Sequence, residues 1–259
     1  MQILVLTLFP GMFAAFWSHG IMRRAVELGK ITAAALNIRD FASDRHQVTD
    51  DRPYGGGCGM VMKPEPLAAA IRAAQARAPA ARTVLLTPQG RVFTQAVARE
   101  MAALPGIILV CGRYEGVDDR LGRDLISDEL SIGDYVLTGG EVAAMAVSDA
   151  VTRLIPGVLG GEDSAERDSF SNGRLEHPHF TRPPVFEGAE VPEVLRSGHH
   201  RNIERWRLEA SLARTFVNRP DLLQARPLTD EETDILRRWQ ADLGKLLGPP
   251  PEAADGRRR

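Results

Sequence analysis

Cysteine is nearly absent: Cys58 and Cys111 are the only two in 259 residues. They form no CxxC pair, and the histidines show no zinc-ligand spacing, which argues against a disulfide scaffold and a structural zinc. Charge of one sign is scarce too, since 32 Lys and Arg face 34 Asp and Glu, for a net charge of −2. A protein that only coats nucleic acid is usually basic, so a nucleic-acid role here requires a local basic patch. Long apolar runs are missing. The N-terminal "MQILVLTLFPGMF" lacks a basic n-region and a cleavage site, and its apolar stretch is far too short to span a bilayer. The expectation is a cytoplasmic protein with no membrane partner. What remains is ordinary globular composition, 44% hydrophobic and 25% charged, in a chain long enough for one large domain or two unequal ones.

Apolar runs alternate with helical patterns over the first 156 residues. Strands are expected at 2–8, 31–38, 83–87, 106–112 and 134–138, with helices opening at Pro10, Pro64, about Thr94 and Glu141. Residues 40–63 are polar, Gly-rich and without period, a loop of the length that tends to be functional. Strands alternating with helices predict an α/β fold with a parallel sheet, and in such sheets a ligand sits beyond the carboxyl ends of the strands. Three Gly-bearing loops therefore converge: Pro88-Gln89-Gly90, Gly112 to Gly116, and Gly139-Gly140. After Pro156 the polar stretch 161–180 reads as a mobile interdomain linker, and 181–247 as a small helical domain in which Thr229 caps the last helix. The tail 248–259 reads as disordered.

The three loops lack GxGxxG and GxxxxGK[ST], which argues against a dinucleotide or a nucleoside triphosphate. Glycines without a cationic anion-holder suit a flat ring, such as adenine, laid against bare backbone; the same glycines also serve simple turns. Arg153, Glu162, Glu166 and Asp168 cluster in sequence near the linker. A carboxylate in a mobile segment can close over a substrate and take a proton, and an arginine can hold developing negative charge. The plainer alternative is a helix-terminal cation and a solvated acid. Residues 197–220 interleave Arg201, Arg205, Arg207, Arg214 and Arg219 with Trp206, which suits either an RNA-backbone surface or a charged helix face. The segment 41–60 mixes His46, Asp50 and arginines with Gly55, Gly56, Gly57 and Gly59, a mixture suited to contacting a base.

The stretches "DRPYGGGCGM", "LTPQGR", "LVCGRYEGVDDR", "SIGDYVLTGGE", "RLIPGVLG", "DSF", "HPHFTRPPVFEG" and "IERWRLEASLARTF" together resemble the bacterial tRNA (guanine-N1-)-methyltransferase family, in register from Met1 to about Trp239. The resemblance implies a parallel-sheet SPOUT domain with a deep trefoil knot over 1–160, a rare exception to the rule of unthreaded chains, plus an all-α C-terminal domain that grips tRNA. It implies S-adenosylmethionine as methyl donor, magnesium-linked catalysis, a homodimer with interface active sites, and methylation at N1 of guanosine 37, usually preceded by G36. Carried onto this chain, the donor pocket falls on Leu86, Thr87, Pro88, Gln89 and Gly90, on Gly112, Tyr114 and Glu115, and on Ile132, Gly133, Asp134, Tyr135, Val136, Leu137, Gly139 and Gly140. Asp168 matches the general base, Arg153 its partner at guanine O6, and Glu115 with Asp168 the metal-side acids. His46, Asp50, Gly55, Gly56, Gly57, Gly59, Arg201 and Arg205 fall to the RNA substrate. Cys58 stands where the family carries proline. A ribose 2′-O-methyltransferase, a non-catalytic RNA-binding module and a nucleotide-dependent enzyme are the alternatives.

Overall fold

The computed structural model describes residues 1–161 and 164–247, without the side chains of Arg123 and Ser164. Glu162 and the tail 248–259 lie outside the described residues. The chain divides into two compact units, Met1–Ala165 and a second from Glu166 onward.

The first unit opens with β1 (Gln2–Thr7), α1 (Gly11–Trp17), α2 (Gly20–Glu27) and β2 (Thr32–Asn37). The two-residue strands β3 (Asp50–Asp51) and β4 (Val61–Met62) pair antiparallel and close the long Gly-rich segment into a hairpin. Then come α3 (Pro64–Arg77), β5 (Arg82–Val92), α4 (Gln95–Ala102), β6 (Gly106–Cys111), α5 (Gly122–Leu125), β7 (Asp128–Ser131) and α6 (Glu141–Thr152). Five strands form one sheet in the order β2-β1-β6-β5-β7, every neighbouring pair parallel. All six residues of central β6 are buried, as a strand covered on both faces requires. Alternation splits the core in two. Ile3, Val5, Ile107 and Leu109 face Phe13, Met22, Met101 and Val147 on one side. Leu4, Leu6, Ile108 and Val110 face Leu67, Ile71 and Ile38 on the other.

Beside the β3–β4 hairpin, three elements of the first unit differ from the sequence expectation, and two of the differences build the site. The run "DYVLT" is not a strand; the fifth strand is β7, just upstream. Tyr135, Val136 and Leu137 are exposed, Val136 by 86%, because they wall a cavity instead of joining the core. The turn "PQGR" is part of the assigned span of β5. Leu86 and Arg91 both pair with Leu130, so Thr87 to Gly90 bulge out of the sheet and the chain then returns to it. Gly90 permits the return, since a Cβ there would lie 2.4 Å from the backbone of Glu129 and Leu130. The third difference is α2, an additional amphipathic helix that buries Met22 and Ala25.

The second unit is not all-α as expected: it holds a hairpin, β8 (Val185–Phe186) with β9 (Ala189–Glu190), beside the helices α8 (Glu193–Arg196), α9 (His200–Asn218), α10 (Pro220–Gln224) and α11 (Asp230–Leu247); the short α7 (Ser164–Arg167) spans the division in sequence. Thr229 caps α11 as expected. Its Oγ1 accepts from Glu232 N at 3.2 Å, while its own N donates to Glu232 Oε2 at 2.9 Å.

Candidate functional site

The carboxyl ends of β5, β6 and β7 open into a cavity of about 530 Å³, a size typical of small-molecule sites. Of the residues assigned to the donor, Leu86, Thr87, Pro88, Gln89, Gly112, Tyr114, Glu115, Ile132, Gly133, Tyr135, Val136, Leu137, Gly139 and Gly140 all line it. Gly90 and Asp134 are not among the lining residues: Gly90 packs on β7, and the Asp134 residue is exposed. Arg113, Asp119, Glu129, Ser131 and Thr138 join the lining without having been singled out from the sequence. The signal for Arg113 was its place inside the Gly112–Gly116 loop.

Close backbone approach shapes the walls. Gly140 N donates to Gly112 O at 2.9 Å, and a Cβ on Gly140 would lie 2.8 Å from Cys111 Cα. Arg113 and Gly139 form an isolated antiparallel bridge, and a Cβ on Gly139 would meet the Arg113 side chain at 2.2 Å. Tyr114 adopts φ +61°, a left-handed conformation uncommon outside glycine, and turns the second loop over the cavity. The Gly-rich hairpin reaches the same wall. Glu115 N donates to Met60 O at 3.0 Å, and Gly59 leaves the space that the Glu115 side chain fills. By contrast Gly55, Gly56 and Gly57 have open space around them and φ values of +84°, +80° and +122°.

The electrostatics favour a cation. Among the described residues the lining carries Glu115, Asp119 and Glu129 and one basic side chain, Arg113, which donates from Nε to Glu141 Oε2 at 2.9 Å. Below the floor, Cys111 is fully buried; burial raises its thiol well above the ordinary value and the nearby Glu141 charge adds to this, so it remains a neutral thiol. Beside the cavity Asp118 is held below the usual carboxylate range, chiefly by the hydrogen bond from Arg120, against a smaller opposing effect of burial.

The remaining predicted residues lie elsewhere. Arg153 is the C-terminal cap of α6. His46 is exposed and Asp50 half-buried on the hairpin segment, whose turn is fixed by Asp44 accepting from His46 N and Val48 N. In the second unit Asp168 lines a smaller cavity of about 210 Å³ with Asn172, Glu176, His177 and Arg207. Of the α9 arginines, Arg205 pairs with Glu209, Arg207 with Glu204, and Arg214 reaches Glu176 O; at the end of α9, Arg219 pairs with Asp221. Arg201 is exposed. Trp206 is half-buried beside His177 and Phe180. Among the described residues no group of three or more His, Cys, Asp or Glu side chains could hold a metal ion, and no helix is long and apolar enough to cross a membrane.

Comparison with known proteins places the chain among named relatives. The family model described as tRNA (Guanine-1)-methyltransferase TrmD matches residues 1–225. A tRNA (guanine-N(1)-)-methyltransferase of Desulfatibacillum aliphaticivorans is 60% identical over 247 residues, covering 95% of this chain and 94% of the relative. Proteins of the same name from Dehalococcoides mccartyi and Geobacillus kaustophilus are 53% and 49% identical, covering 91% and 93% of this chain and 96% and 99% of their own.

Proposed function

This chain belongs to the tRNA (guanine-1)-methyltransferase family, and on that premise we propose that it transfers a methyl group from S-adenosylmethionine to N1 of guanosine 37 in tRNA, where G36 precedes it. One observation carries the donor assignment: among the described residues the one basic side chain lining the cavity is already paired with Glu141, while three carboxylates line the walls. A phosphate is unwelcome there and a sulfonium is not. Apolar side chains of Leu86, Ile132, Val136 and Leu137, with the bare backbone of Gly112, Gly139 and Gly140, suit a flat adenine. When bound, the donor supplies an electrophilic methyl group.

The chain's own residues prepare the nucleophile. Guanine N1 carries a proton at neutral pH, so Asp168 accepts that proton and Arg153 stabilises the negative charge moving onto O6. Deprotonated in this way, N1 would be the nucleophile for the methyl group that a donor held by the Gly112 and Gly139–Gly140 walls would supply. Because N1 lies on the pairing edge, the nucleotide is taken out of its stack into the cleft. His46, Asp50 and the hairpin glycines contact the anticodon-loop bases, and Arg201 with Arg205 the RNA backbone. Within α9 the exposed Arg201 is the better placed of the two, since Arg205 is engaged with Glu209.

The reading includes a deep trefoil knot over 1–160, a linker over 161–180 and an RNA-gripping unit over 181–247, in a cytoplasmic homodimer whose sites lie at the interface. Exposed Phe9, Met12 and Val142 support a covered face on the first unit. The described residues do not by themselves provide a magnesium site.

Asp168→Asn is expected to leave S-adenosylmethionine binding intact and to slow methyl transfer by a factor on the order of 10² or more. Calorimetry and a tritium-transfer assay separate the two properties. Near-normal turnover in that variant overturns the role given to Asp168.

A further inference from the structure

We propose that Glu141, which does not line the cavity, is a positioning residue for the methyl-donor site. The inference rests on the donor reading given above. Glu141 is 1% exposed and opens α6, where the helix dipole favours a negative charge. Its two oxygens serve different elements. Oε1 accepts from Thr7 Oγ1 at 2.7 Å, at the end of β1, and Oε2 accepts from Arg113 Nε at 2.9 Å. Arg113 in turn donates from Nη1 to Thr138 O at 3.2 Å and lies over the Phe9 ring at 4.5 Å. Phe9 N donates back to Thr7 Oγ1 at 2.9 Å.

The carboxylate thus ties together the end of the first strand, the loop after β6 and the loop before α6. The last two are cavity walls: Arg113 and Thr138 line the cavity, and the two loops are joined by the backbone bridge between Arg113 and Gly139. Without the carboxylate, the guanidinium is no longer held by Nε, and its grip on the Thr138 carbonyl loses its orientation. The wall formed by Thr138 to Gly140 then loses the side-chain link to the wall formed by Gly112 to Gly116. A shaped adenine slot is sensitive to that spacing. The proton chemistry assigned to Asp168 does not involve it.

The test titrates S-adenosylmethionine into wild type, Glu141→Ala, Glu141→Gln and Thr7→Val by calorimetry, and measures donor KM, tRNA KM and kcat on the same proteins. The expected result is a donor Kd raised on the order of tenfold or more in Glu141→Ala. Donor KM should follow it, while kcat at saturating donor and the tRNA KM stay within about threefold of wild type. Glu141→Gln should recover most of the affinity, because an amide oxygen still accepts from Arg113 Nε and the amide stays within reach of Thr7. Thr7→Val, which keeps the Arg113 pair, should raise Kd by roughly threefold. It carries the test if the alanine variant fails to fold. Wild-type donor affinity in folded Glu141→Ala, or in Thr7→Val when the alanine variant is unfolded, overturns the proposal. So does a lowered melting temperature with donor Kd unchanged. Absence of binding in the wild type itself overturns the donor reading, and the positioning role with it.

Discussion

Among the described residues two buried glutamates stand at helix N-termini, one in each unit, and both are held by arginine. Glu141 opens α6 and is clasped by Arg113 and Thr7. Glu232 lies in the first turn of α11, 0% exposed, and is clasped by Arg226, Arg174 and the Thr229 backbone. The local chemistry is nearly the same, but the surroundings differ. Arg113 lines the large cavity and holds a wall of it, whereas the Glu232 cluster fastens α11 to the segment around Gly173 and Arg174 and has no part in that cavity. A buried ion pair is therefore not a functional signal by itself; what its arginine touches next decides whether it shapes a site or only the fold.

The comparison is sharpened most by breaking the second cluster. Glu232→Ala leaves two guanidinium groups without their carboxylate and is expected to destabilise the second unit by about 3 kcal/mol or more, with donor Kd unchanged. Differential scanning calorimetry and donor titration check both halves. Acid should act on the same group. Burial alone would raise the Glu232 carboxyl, but hydrogen bonds from Arg226, the Thr229 backbone and Arg174 outweigh it and hold it at about 2, below the ordinary 4.5. Its contribution to stability is thus complete above the ordinary glutamate value and is lost as pH falls from there through about 2. Glu232→Gln should flatten the acid limb of a stability–pH profile in that window.

Glycines permit the next contrast. Gly140→Ala places a methyl group against the Cys111 backbone, which cannot yield as a side chain would. A loss of roughly 1–3 kcal/mol in stability, together with weakened donor binding, is expected from denaturant titration and calorimetry. Gly56→Ala meets no neighbouring atom and costs only its positive φ, about 1 kcal/mol. Donor Kd should stay at the wild-type value there, and any effect should fall on tRNA KM. Equal donor effects in the two variants would erase the distinction between a glycine used for contact and one used for backbone conformation.

These positions also mark what the chain made legible. Strands such as β6 were readable because an unbroken apolar run buried on both faces has few other uses. "DYVLT" misled because its apolar residues wall a cavity, and composition does not separate a ligand-facing run from a core-facing one. The bulge at Thr87 to Gly90 was hidden because it exists only through repeated pairing with Leu130 on a later strand. The donor wall was legible through motif resemblance, which carried Gly90 and Asp134 with the rest, and these two are not among the residues lining the cavity. Glu141 was visible as an acid after two glycines. Its partners were not, since Arg113 lies 28 residues away and Thr7 134.

The central claim is tested most directly by locating the methyl group. A tRNA transcript with G at positions 36 and 37 is incubated with the protein and S-adenosylmethionine, digested, and the modified nucleoside identified and mapped. The account predicts 1-methylguanosine at position 37. A methyl group on the ribose or on another base, or no methyl transfer at all, would contradict it.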